Sequence, residues 1–259
     1  MTPLTSGNTR VKEARKLHRR SVRSERRCFL ADGPKAVEGA LSVPGCVVEV
    51  FATPTAADEH ATLLDGVPVT LVDDRALAGL SDSVSPAGMV ALCRFLDAPL
   101  ASAVGGRLVA ICADVRDPGN AGTVIRTADA AGATGVVLAG DAVDLYNPKT
   151  VRASVGSAFH LPIAIERDPA AAVRAARDAG LQVLAADGGG ETGLFDDDVL
   201  LDRPTAWLFG NEAWGLPSEL AGLADHRVSI PILGRAESLN LATAAAVCLY
   251  ASARAMMGS

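Results

Sequence analysis

DPGNAGTVIRTADAAGATGVVL, residues 117–138, decides how the chain is read. A Pro-Gly-Asn turn leads into small apolar residues that predict a helix over 119–131. A Gly-bounded apolar run at 135–139 predicts a strand. Just upstream, RLVAICAD (107–114) is continuously apolar, as expected of a strand buried on both faces of a parallel sheet. Strand, turn, helix and strand in succession indicate an α/β fold built on parallel strands. Asn120 is a candidate cap for the helix. Arg126 stands among Val124, Ile125, Thr127 and Ala128, with little charged company. That setting reads as an arginine turned inward, toward a site that a phosphate or other anion must enter. The alternative is an arginine that snorkels to the surface.

The alternation continues outward from this stretch. NPKTVRASVGSAF (147–159) reads as a helix and HLPIAI (160–165) as a strand. DPAAAVRAARDAG (168–180) is a helix with Asp168 as its cap, Pro169 at its first position and Gly180 beyond its end. LQVLAAD, TAWLFG and HRVSIPI are strands, and 238–256 is a long Ala-rich helix. DGGGETG (187–193) has the wrong glycine spacing for a dinucleotide fingerprint and reads as a flexible loop. Toward the N-terminus, CFLADG, CVVEVFAT, VPVTLVD and AGMVALCRF read as strands. Helices over 9–20, 33–41, 54–66 and 73–82 alternate with them. The expected organisation is a smaller α/β domain over 1–95, a linker over 96–106 and a larger domain over 107–259.

Composition narrows the function. None of the five cysteines forms a CxxC pair, and the four histidines lack ligand spacing, so no metal site is expected. No apolar run approaches the roughly 18 residues of a membrane span, and no apolar signal region opens the chain. A cytoplasmic location without membrane contact is the expectation. The net charge of −6 conceals an asymmetry. Residues 1–27 hold nine Lys/Arg against Glu13 and Glu25, a net +7 that leaves −13 for the remainder. A basic segment on an acidic protein points to a polyanion such as nucleic acid.

Two further motifs stand beside the first. In WLFGNEAWGLP (207–217), a buried strand ends in Gly210-Asn211-Glu212, with a second glycine at 215. In VSIPILGRAESLNLATAAAVCLYASA (228–253), a strand leads through Gly234 to Ser238-Leu239-Asn240 and the last helix. Ser238 is a candidate cap there, with Asn240 inside the first turn.

In this order and spacing, the three motifs resemble those of the SpoU (TrmH-like) family of SPOUT RNA ribose methyltransferases. The likeness covers roughly 107–257. ARKLHRRSVRSERRCFLADGPKAVEGAL (14–41) resembles the opening of that family's L30e-like substrate-binding domain. The chain departs from the family in carrying Glu212-Ala213 where Glu-Gly is frequent. The resemblance implies a SPOUT-type parallel-sheet domain with a trefoil knot. It also implies a homodimer through the C-terminal domain, and S-adenosylmethionine (AdoMet) as methyl donor without a metal. Gly210, Ile230 and Leu239 would cradle AdoMet, and Asn120, Arg126, Glu212, Ser238 and Asn240 would form the catalytic constellation. Arg15, Lys16, Arg19, Arg20 and Arg152 would contact RNA. The expected activity is 2′-O-ribose methylation of ribosomal RNA, 23S being favoured. The alternatives are a tRNA 2′-O-methyltransferase and a non-catalytic RNA-binding or ribosome-assembly protein.

Overall fold

A computed structural model describes residues 2–196 and 201–258. The chain divides into two units, 1–96 with 144–160 and 97–143 with 161–259.

The first unit opens with α1 (Thr9–Arg15), a single 3-10 turn over Lys16–His18, and α2 (Arg20–Arg26). The single helix expected over 9–20 is therefore broken, because Arg19 turns to an extended conformation before α2 begins. Val11, Ala14 and Leu17 are buried, pinning this basic segment to the core. Next come β1 (Cys28–Asp32), α3 (Pro34–Leu41), β2 (Val47–Ala52), α4 (Pro54–Glu59), β3 (Val69–Leu71), α5 (Asp74–Leu80) and β4 (Met89–Arg94). The four strands form one sheet in the order β1-β4-β2-β3. β4 is antiparallel to both its neighbours, and β2 and β3 run parallel. The helix expected over 54–66 stops at Glu59. Of residues 60–66 only Leu64 is buried, so no apolar stripe remains to hold a longer helix against the sheet.

The second unit starts inside the stretch expected as a linker. Within 96–106, residues 100–103 form α6 (Leu100–Ala103). Ala103 and Val104 are buried in this unit's core, and the Ala98 N–H donates to the Ile163 carbonyl. β5 (Leu108–Ala113), α7 (Pro118–Ala130) and β6 (Gly135–Ala139) then reproduce the expected strand, helix and strand. The chain returns to the first unit over 144–160 with α8 (Pro148–Ser154) and a 3-10 turn at Ser157–Phe159. Val155 and Gly156, both left-handed, interrupt the helix expected across 147–159. Arg23, only 3% exposed, reaches this returning segment. Its Nε donates to Asp144 at 3.1 Å and its Nη1 to the Leu17 and His18 carbonyls.

β7 (Ile163–Glu166), α9 (Pro169–Asp178), β8 (Gln182–Ala186), β9 (Thr192–Gly193), β10 (Thr205–Phe209), α10 (Ser218–Ala221), β11 (His226–Ser229) and α11 (Leu241–Met257) complete the second unit. Its seven strands lie in the order β7-β6-β5-β10-β8-β11-β9, and every pairing is parallel. The loop expected at 187–193 contributes β9 at the sheet edge. β5, β6 and β10 are buried along their whole lengths, the burial their unbroken apolar runs predict. Trp207 of β10 is fully buried, and its indole N–H donates to the Ser252 hydroxyl of α11 at 2.9 Å. A large apolar ring is thus packed without stranding its polar atom.

Candidate active site

The site residues gather at the C-terminal ends of β5, β8, β10 and β11. In an open parallel sheet this is where loops diverge and leave a crevice for ligands. The loop after β5 enters α7 through Asp117, whose side chain accepts from the Asn120 N–H at 2.8 Å. Asp117, followed by Pro118, is therefore the cap expected at Asn120. The Asp-Pro pair carries the same signature as Asp168-Pro169, which caps α9. Asn120 lies inside the first turn, and its amide group is left for other partners.

Glu212 is one of those partners. The Asn120 Nδ2 donates to Glu212 Oε1 at 3.2 Å, as does the Asp117 N–H, also at 3.2 Å. The Arg116 N–H donates to the other carboxylate oxygen at 3.4 Å. On the far side of Asn120, its Oδ1 accepts from the Asn240 Nδ2 at 3.0 Å. Asn240, not Ser238, caps α11, since its Oδ1 accepts from the Ala242 and Thr243 N–H groups at 2.9 and 3.4 Å. Asn240 thus has both ends of its amide engaged, and its orientation is determined. One residue from each motif joins a single chain: Glu212, Asn120, Asn240.

The loop carrying Glu212 is a tight turn. Asn211 and Gly215 exchange N–H···O bonds of 3.0 and 2.9 Å, and Gly215 takes φ +70°. The Asn211 Nδ2 donates to the Asp114 carbonyl at 2.6 Å, tying the turn to the end of β5. A Cβ on Gly210 would lie 2.4 Å from the Gly215 carbonyl carbon. The glycine at 210 is therefore demanded by backbone packed on backbone within the protein. A valine there would disrupt the turn before it met any ligand.

Beside this chain lies a cavity of ≈ 260 Å³. Gly210, Ile230 and Leu239 all line it, as do Glu212 and Ser238. Phe209, Val228, Ile232 and Leu241 supply apolar walls, and Asp187 and Glu237 add two carboxylates to that of Glu212 in the lining. Apolar walls suit an adenine ring, and carboxylates suit a cationic sulfonium and ammonium. The residues present accordingly fit AdoMet. Burial pushes the Cys112 thiol, at the end of β5, up to about 12, with the Glu212 carboxylate adding to the shift. That thiol is protonated at neutral pH and is no nucleophile.

Arg126 departs from the inward orientation its neighbours suggested. Ala121, Val124, Ile125 and Ala128 form the buried stripe of α7, and Arg126 falls off that stripe, exposed. The 3.6-residue period, applied to the helix alone, already excludes Arg126 from the apolar face. No described residue hydrogen-bonds or ion-pairs with its guanidinium. Its connection to the Glu212–Asn120–Asn240 chain is through the shared helix only.

In the first unit, Arg15, Arg19 and Arg20 are exposed and unpaired among the described residues. Lys16 pairs with Glu13 at 2.6 Å, and Arg152 with Asp82 at 3.0 Å. Arg23 is a structural residue, not one of the surface cations that its place in the basic run suggested. Sequence reasoning also passed over Arg116, Asp117, Asn211, Asp187 and Glu237. Of these, only Asp117 carried a recognisable signal, the Asp-Pro pair.

Comparison with known proteins adds to this geometry. The SpoU rRNA Methylase family model matches residues 107–250. An MRM3-like substrate binding domain matches residues 8–91. The 23S rRNA (guanosine(2553)-2′-O)-methyltransferase RlmP of Bacillus subtilis is 34% identical, the match covering 94% of this chain and 95% of that protein. AviRb of Streptomyces viridochromogenes, solved with AdoMet, superposes with a TM-score of 0.86 at 31% identity over 97% of this chain and 99% of that one. An AdoMet-bound rRNA methyltransferase from Sinorhizobium meliloti gives a TM-score of 0.83 at 34% identity, covering 98% and 97% of the two chains.

Proposed function

The chain belongs to the SpoU rRNA methylase family, and from that premise we propose that it methylates a ribose 2′-oxygen of 23S ribosomal RNA. The observation that carries the reading is the double position of Glu212. It lines the cavity that fits AdoMet and also anchors the Asn120–Asn240 chain. When bound, AdoMet supplies an electrophilic methyl group on a sulfonium.

The rest of the chemistry falls to the protein. The 2′-hydroxyl must be aligned with the methyl group and must lose its proton during attack. Arg126, solvent-facing and unpaired among the described residues, can grip an RNA phosphate with two parallel hydrogen bonds. Its positive charge then stabilises negative charge developing on the ribose oxygen. A guanidinium is a poor base, so the proton passes to phosphate or water. Glu212 holds the entrance to α7 through three N–H donors, and Asn240 fixes the Asn120 amide that faces it. Ser238, in the cavity wall, orients the ribose. Gly210, Ile230 and Leu239 shape the AdoMet site, and Arg15, Lys16, Arg19, Arg20 and Arg152 hold RNA in the first domain.

Relatives in the same family act on 23S rRNA by name, which favours that substrate over tRNA. A cytoplasmic setting and a homodimer through the C-terminal domain belong to the same reading. α11 leaves Tyr250 and Met257 exposed on one face together with Arg254, a mixed surface suited to a second copy. Mapping 2′-O-methylation across 23S rRNA from cells with and without the gene tests the function. One modified nucleotide should disappear. An unchanged map, with purified protein inert toward 23S rRNA and AdoMet, overturns the proposal.

A further inference from the structure

Trp214 is 55% exposed, unusual for the largest apolar side chain. It stands between Glu212 and Gly215, both of which line the cavity, yet its own side chain is outside that lining. Arg116 lies against it, the guanidinium carbon 5.1 Å from the ring centroid. Arg116 is itself fixed twice. Its Nη2 pairs with Asp141 at 3.0 Å, and its backbone N–H donates to Glu212 at 3.4 Å. The turn beneath the ring is closed by the Asn211–Gly215 bonds and by the Ala213 N–H donating to Asn211 Oδ1 at 2.8 Å. A rigid turn thus presents a flat aromatic, backed by a cation and anchored to the same carboxylate as the candidate catalytic chain.

This arrangement matches how unpaired nucleotides are held. A base splayed out of a loop stacks on an aromatic ring, and a neighbouring arginine adds charge for the phosphate backbone. Methyl transfer to a 2′-hydroxyl at the C-terminal ends of the strands requires such an exposed nucleotide, because the ribose must approach the cavity. We propose that Trp214, braced by Arg116, is a positioning residue that stacks an unpaired base of the RNA beside the AdoMet cavity. The proposal rests on the methyltransferase reading above.

The test uses full-length protein, AdoMet and transcribed 23S rRNA. Trp214→Ala should bind AdoMet with wild-type affinity by calorimetry. Its KM for 23S rRNA should rise about 5- to 150-fold, the range for removing one base–aromatic stack, while kcat stays within a few-fold. Trp214→Phe should restore most of the affinity, since a ring remains. The other tryptophan, Trp207, is fully buried. Quenching of tryptophan fluorescence by 23S rRNA should therefore be present in the wild type and absent in Trp214→Phe. An unaltered KM in Trp214→Ala, against an active wild type, overturns the platform and leaves the methyltransferase reading standing. Conversion of a dimer to monomers by Trp214→Ala also overturns it, because the ring would then pack on a second copy. A wild type that transfers no methyl group to 23S rRNA overturns the functional reading instead.

Discussion

Asn240 and Asn120 meet amide to amide although 120 residues separate them, the Nδ2 of Asn240 donating to the Oδ1 of Asn120 at 3.0 Å. Because the other end of Asn240 caps α11, the start of the last helix and the start of α7 are set by one side chain. Asn240→Ala removes both functions. It should cost about 1 kcal/mol and lower Tm by about 2–4 °C. Asn240→Asp keeps the cap but sets a carboxylate oxygen against the Asn120 carbonyl oxygen. Scanning calorimetry should find Asn240→Asp near wild-type stability, while methyl transfer falls sharply. Equal activity in the aspartate variant and wild type would contradict an orienting role for the amide pair.

Glu212 accepts from two backbone N–H groups and the Asn120 amide. Glu212→Gln replaces one acceptor oxygen by a donor and leaves an N–H facing an N–H. Glu212 and these contacts are exposed, so water satisfies the freed N–H, and chemical denaturation should show a stability change of no more than about 0.5 kcal/mol. Single-turnover methyl transfer should fall at least tenfold. A Glu212→Gln protein with the wild-type rate would remove the carboxylate from the reaction.

Arg126 offers a cleaner separation of chemistry from folding. It is exposed and bonds to no described residue, so Arg126→Ala should change stability by no more than about 0.5 kcal/mol. Its single-turnover rate at saturating AdoMet should drop about a hundredfold or more, as for loss of one preorganised donor. Partial recovery in Arg126→Lys would indicate charge as the working property, and no recovery would indicate the planar two-pronged grip. Wild-type turnover in Arg126→Ala would identify a surface arginine with no part in the reaction.

The basic segment contains two kinds of arginine. Arg15, Arg19 and Arg20 are exposed and unpaired among the described residues, whereas Arg23 is buried against Asp144. Replacing Arg15, Arg19 and Arg20 with alanine should weaken RNA binding and flatten its salt dependence by about one unit of slope for each phosphate no longer neutralised. Thermal stability should hold. Arg23→Ala strands a partly buried carboxylate and should cost up to about 3 kcal/mol, with Tm falling accordingly. Salt titrations by filter binding, paired with melting curves, distinguish the two classes.

Alkaline pH should destabilise the fold through its cysteines. Burial raises the Cys112 and Cys248 thiols from 9.0 to about 12, and Cys93 also moves upward. Unfolded thiols ionise near pH 9 while the folded ones stay neutral. The stability they contribute is complete below pH 9 and is lost as pH rises toward 12, at about 1.4 kcal/mol per pH unit per thiol. Urea titrations from pH 8 to 11 should show this decline, and Cys248→Ala should shallow its slope. A slope unchanged by that substitution would mean that Cys248 titrates normally.

Local chemistry made much of the second unit readable. The unbroken apolar runs of β5, β6 and β10 require burial on both faces, and the Asp-Pro start of α9 needs no distant partner. The three motifs announced the family for the same reason: each is a short segment whose residue types are tied to its own turn. Other features depended on elements far apart in sequence. Asp117 displaced Asn120 as cap, and Asn240 displaced Ser238, because several residues near a helix start can serve as cap and only the assembled backbone selects one. Arg23 looked like its basic neighbours until the returning segment 144–160 brought Asp144 against it. Gly210 reads as part of an AdoMet cradle, and the space that a side chain there would need is filled by the Gly215 backbone. The hydrogen-bonded chain of Glu212, Asn120 and Asn240 draws on three strand-to-helix or strand-to-turn junctions. Propensity and pattern act over a few residues, whereas those junctions meet only after parallel strands of non-consecutive order have packed side by side.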